Sequence, residues 1–111
     1  MDKATVNLDK ATVMNVISDM HYNLIKYGIK ENNIALFGSF LNGNNHEDSD
    51  IDIVIISPEF EGKNLFERSD MTARAQLDIT RKYVVPMDIL LKTPKEFDYS
   101  NNNYFKAEII I

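Results

Sequence analysis

Residues 34–57 read IALFGSFLNGNNHEDSDIDIVIIS. An apolar run ends in Gly38 and Ser39, a polar loop follows, and Asp50 and Asp52 then alternate with isoleucines at the start of a second apolar run. Two residues apart on a strand, the two carboxylates share one face. Paired acids on a buried strand are costly unless something positive lies between them, and a divalent metal is the usual answer. A Gly-Ser turn with free backbone N–H groups suits a phosphate. Metal and phosphate together point to nucleotide chemistry.

Working outward, Ile34 to Phe37 reads as a short strand and Ser39 to Leu41 as a single helical turn. Asn42 to Ser49 reads as a loop rich in turn formers. Ile51 to Ile56 is a strand whose unbroken apolar character from Ile53 onward predicts a central place, covered on both faces. Upstream, Val13, Ile17, Met20 and Leu24 make one face of a helix from Asp9 to Tyr27, with Gly28 past its end. Downstream, Asn64 to Tyr83 reads as a second long helix. Phe66, Ala73 and Leu77 can share its apolar face, which Ala75 and Ile79 widen. Its Arg68, Arg74, Arg81 and Lys82 read as a solvated face. Pro86 opens a third strand, Met87 to Leu91. Thr93 can cap a short helix with Pro94 first and Glu96 third, and Asp98 to Asn103 reads as polar and turn-like. The tail ending in Ile109-Ile110-Ile111 is apolar enough to require burial, in the domain or against another chain. The order predicts one α/β (α+β) domain over residues 1–111, a small mixed sheet flanked by helices.

The 111 residues carry a net charge of −5 and no cysteine, so neither disulfides nor a thiolate metal site is expected. The acidic balance argues against broad nucleic-acid binding but leaves a nucleotide substrate open. No apolar run approaches membrane-span length, and the opening residues lack a signal-peptide pattern, so a cytoplasmic location is expected.

Asp88 is a third acid embedded in an apolar strand. Asp disfavours strands, so Asp50, Asp52 and Asp88 in so small a chain suggest a cluster of oxygen ligands of the kind two-metal phosphoryl-transfer sites use. Gly38-Ser39, ten intervening residues, Asp50-Ile51-Asp52 and a later strand acid resemble the signature of the minimal nucleotidyltransferases of the DNA polymerase beta superfamily. The resemblance spans roughly residues 10 to 97 and implies that superfamily's fold. It implies that Gly38 and Ser39 hold nucleotide phosphates and that Asp50 and Asp52 ligate Mg²⁺ on the triphosphate. Asp88 would complete a second metal site and act as general base. The implied reaction moves a nucleoside monophosphate, AMP from ATP foremost, to an acceptor hydroxyl. The implied partner is a small helical protein of the HEPN type, the chain serving as the antitoxin half of a pair, or else a homo-oligomer. Many members carry Arg four residues after the glycine, where this chain has Asn42. That departure favours a second reading, a regulatory module that binds nucleotide or partner with little turnover.

A calcium loop competes for the same residues. Asp48, Asp50, Asp52 and Glu59 fall at its positions one, three, five and twelve, but position six is Ile53 in a β run where glycine is required. His46 and Gly43 read as loop residues, and His21 as packed or half-exposed on the first helix.

Overall fold

The computed structural model describes residues 9–42, 50–103 and 106–111. The loop readings at Gly43, His46 and Asp48 lie outside the described residues.

Helix α1 (Lys10–Lys26) starts where Asp9 accepts a 2.8 Å hydrogen bond from the Thr12 N–H. It buries Val13, Val16, Ile17, Met20 and Leu24, and Gly28 follows its end at φ +108°. His21 is half-buried, and Asn32 settles its tautomer. Asn32 Nδ2 donates to the Ile29 carbonyl, so its Oδ1 must accept, and His21 Nδ1 is the donor at 2.7 Å.

Strand β1 (Asn33–Phe37), the short helix α2 (Ser39–Asn42) and strand β2 (Ile51–Ile56) follow. Ser57 ends β2, capping a 3-10 turn with an oxygen that accepts from Glu59 N–H and a hydroxyl that donates to the Glu31 carbonyl. Helix α3 (Leu65–Tyr83) opens with a reciprocal cap between Asn64 and Glu67. Strand β3 (Met87–Lys92), helix α4 (Pro94–Asn103) and strand β4 (Ala107–Ile109) complete the described chain.

The described strands form one sheet in the order β3-β2-β1-β4. β1 runs antiparallel to β2 and β4, while β2 and β3 are parallel. A parallel pair needs a crossover, and α3 supplies it. Ile51, Ile53 and Ile55 face the main core with α1 and α3. Val54 and Ile56 face a smaller cluster with Ala35 and with Phe97 of α4. β2 is therefore covered on both sides, as its continuous apolar run predicts, and Asp52 is its one residue that is not buried.

Four expectations need correction. The face that α3 buries is Thr72, Ala75 and Ile79, not Phe66, Ala73 and Leu77; Phe66 is 85% exposed. Thr72 can be buried because its hydroxyl donates to the carbonyls of Arg68 and Ser69 and accepts from Gln76. Residues 98–103 are helical, continuing α4 beyond the reciprocal Thr93–Glu96 cap, because Phe97 and Ser100 bury one side of it. Asn42 closes α2 rather than opening the loop. The apolar tail stays within the domain: β4 pairs with β1, and Ile110 and Ile111 exchange backbone hydrogen bonds with Ile34 and pack on the core.

Arg68 is not a solvated cation. Its guanidinium makes two bonds to Glu96, at 2.6 and 3.1 Å, and donates to the carbonyls of Lys63 and Leu91. This joins α3 to the end of β3 and the start of α4. The Arg68 hydrogen bond is the main reason the Glu96 carboxyl is lowered to about 2. A depressed acid contributes stability above its unfolded value and loses it as pH falls from about 4.5 to about 2. Glu96 is 46% exposed, so solvent screening keeps the pair near 1 kcal/mol, roughly. Glu96→Gln is expected to cost about that much at pH 7 in urea unfolding, with the difference from wild type shrinking below about pH 4.5 and gone below about pH 2.

Candidate active site

The three strand acids come from neighbouring elements and share one face. Asp52 and Asp88 are register partners on parallel β2 and β3, so their side chains leave the same side of the sheet from strands about 4.8 Å apart. Asp50, two residues before Asp52, has the same parity and immediately precedes β2. All three lie on the face opposite α1 and α3, at the β2 and β3 ends that α4 leaves uncovered: Asp50 and Asp88 are exposed, Asp52 half-buried. The sequence predicts this parity for Asp50 and Asp52. The register of Asp88 depends on how β3 docks, and local sequence does not encode it.

The Asp52 carboxyl sits in an unfavourable field. Partial burial raises its carboxyl above the ordinary value, and the charges of Asp88 and then Asp50 raise it further. No basic group appears among these influences.

Gly38 follows the last residue of β1, Phe37, which is the antiparallel partner of Asp52. Its φ is +74°, in the left-handed region, and a Cβ placed there would stand 2.0 Å from Asp52 Oδ2. The bare Cα of Gly38 thus makes room for the carboxylate. This is a steric duty toward Asp52, beside the phosphate contact expected from sequence. Ser39 begins α2 one residue later, and its hydroxyl lies outside the described atoms.

The donor chemistry is of the kind Mg²⁺ takes: carboxylate oxygens from three acids on one face, with no basic group among the influences on Asp52. Among the described residues no three His, Cys, Asp or Glu side chains converge into a closed ligand set. The backbone therefore sets the acids side by side without wrapping them around one point. Two other basic side chains of α3 are engaged elsewhere: Lys82 pairs with Asp19, and Arg74 stacks over Tyr27. No helix among the described residues is long and apolar enough to cross a membrane.

A family profile of the nucleotidyltransferase domain matches residues 24–111. No curated protein sequence matches. Among solved structures, a candidate nucleotidyltransferase from Sulfolobus solfataricus superposes with a TM-score of 0.59 at 18% identity, covering 89% of this chain and 82% of its own. A second candidate nucleotidyltransferase gives 0.57 at 24%, covering 86% and 97%. BolA1 from Arabidopsis thaliana gives 0.50 at 23%, covering 74% and 95%. At these identities the likeness is one of fold.

Proposed function

Because this chain belongs to the nucleotidyltransferase domain family, we propose that it moves a nucleoside monophosphate, AMP foremost, from an NTP to an acceptor hydroxyl with Mg²⁺ at Asp50, Asp52 and Asp88. The observation that carries this reading is the register pairing of Asp52 with Asp88 beside Gly38. Asp50 and Asp52 would hold the ion on the triphosphate and Asp88 a second one, with Gly38 and Ser39 against the phosphates. When bound, the metal supplies positive charge to the phosphoryl oxygens and the leaving group. The acceptor oxygen attacks the α-phosphorus in line as its bond to pyrophosphate breaks. Asp88 takes the hydroxyl proton, and pyrophosphate leaves. On the resemblance read from sequence, the acceptor belongs to a small helical partner of the HEPN type, the chain acting as its antitoxin.

The test is incubation with α-labelled ATP, Mg²⁺ and a small helical protein of the HEPN type. Label should pass to that protein, and transfer should vanish in Asp88→Asn. Absence of transfer, with partner binding unchanged in Asp52→Asn and Asp88→Asn, would favour the second reading, a regulatory module. Asn42, standing where many members carry Arg, is the residue that favours that reading.

A further inference from the structure

The outer side of α3 carries an apolar stripe that the domain itself does not use. At about 100° per residue, Phe66, Ala73 and Leu77 fall within roughly 40° of one another along about 17 Å of helix, and Val84 follows as its cap. All four are exposed, Phe66 at 85%, Leu77 at 46% and Val84 at 64%. The stripe lies opposite the buried Thr72, Ala75 and Ile79. Val84 adds a second observation. It ends α3 at φ 51° and ψ 49°, a left-handed cap that favours glycine and penalises a β-branched residue. A strained, exposed valine is poor use of that position in an isolated chain.

We infer that α3 packs antiparallel against α3 of a second copy of this chain. The stripe is self-complementary about a twofold axis near residue 75. Phe66 then faces Val84 of the second copy and Leu77 faces Ala73, large against small, at both symmetry-related places. The flanking charges agree. Asp70 and Arg81 lie on the same side of the stripe, and the same pairing brings Asp70 of one copy beside Arg81 of the other, twice. Among the described residues neither has an ion-pair partner within its own chain. A contact of this length sits at the small end of specific interfaces, so the dissociation constant should be on the order of micromolar. α3 covers the sheet face opposite the acids, so pairing leaves the candidate active site open. The inference is independent of the proposed reaction.

Sedimentation velocity on the full chain from about 1 to 500 µM tests it, the range bracketing the expected constant. A reversible dimer is expected. Phe66→Glu and Leu77→Glu should each weaken it at least about tenfold. Their circular dichroism and thermal midpoints at dilute concentration should match wild type, since both side chains are exposed. Asp70→Arg and Arg81→Asp should each weaken the dimer, and the two together should restore it. A monomer throughout the range overturns the inference. So does a dimer indifferent to these substitutions, or a double charge reversal no better than either single one.

Discussion

Asp52→Asn is expected to abolish nucleotidyl transfer and to make the metal-free protein more stable. The two effects have one cause. Asp52 is half-buried beside two other carboxylates, and burial first, Asp88 next and Asp50 last hold its carboxyl above the ordinary value. A raised acid binds its proton more tightly in the folded state than in the unfolded chain. Its ionisation therefore costs stability as pH rises from the unfolded value of 3.8 through the higher folded one, and the full cost stands at neutral pH. Asparagine has nearly the same shape and no charge to lose. In EDTA at pH 7 the variant should gain stability, by at most about 1 kcal/mol because solvent screens a carboxylate this exposed. That corresponds to several degrees in the thermal midpoint for a domain of this size. The gain should disappear near pH 3, where the wild-type carboxyl is protonated. Metal reverses the ranking: Mg²⁺ or Mn²⁺ at a hundredfold excess over the dissociation constant should stabilise the wild type by about 2.7 kcal/mol, raising its midpoint, and leave the variant unmoved. Transfer should fall about 10³-fold or more, because metal charge stabilisation contributes several kcal/mol to the transition state. A variant less stable than wild type in EDTA, or one whose midpoint still follows Mg²⁺, would show that Asp52 is an ordinary solvated strand acid.

That site was legible in sequence to an uneven degree. Parity along a strand is a local property, so Asp50 and Asp52 could be placed on one face from spacing alone, and the apolar run after them fixed β2 as central. Helix α1 was equally plain, because its apolar residues form a single stripe. Helix α3 has two stripes. The larger residues, Phe66 and Leu77, lie on the exposed one, while the buried one includes Thr72, whose hydroxyl is satisfied inside the helix. Periodicity detects both and has no means of ranking them; tertiary docking decides. The bond between Arg68 and Glu96 joins residues 28 apart, and the pairing of β4 with β1 joins residues about 70 apart. Neither leaves a local trace. The polar stretch 98–103 misled for a related reason: a helix whose buried side chains, among those described, are Phe97 and Ser100 can be polar elsewhere.

Gly38→Ala should be as damaging to transfer as loss of an acid, by a different route. Spacing marks Gly38 as a place for close approach of phosphate, and any side chain there would obstruct a nucleotide. The structure adds a clash that precedes nucleotide binding: the new methyl would stand 2.0 Å from Asp52 Oδ2, far inside contact distance. Either the Asp52 side chain turns away from Asp88 or the end of β1 shifts. The backbone also sits at φ +74°, which alanine adopts at a cost of about 1 kcal/mol. Adding the overpacking, the variant should lose about 2–4 kcal/mol. Transfer should drop about a hundredfold or more through displacement of one ligand by an ångström or so. A double-mutant cycle separates the two duties of the glycine. In an Asp52→Gly background the clash has no partner, so Gly38→Ala should cost only its backbone strain, and the two changes should couple by more than about 1 kcal/mol. Additive costs would mean that the carboxylate moves aside freely and that Gly38 serves the phosphate alone. Strong coupling would mean that the turn after β1 is glycine first of all to seat Asp52, and that the position of the acid depends on a residue fourteen places earlier in the chain.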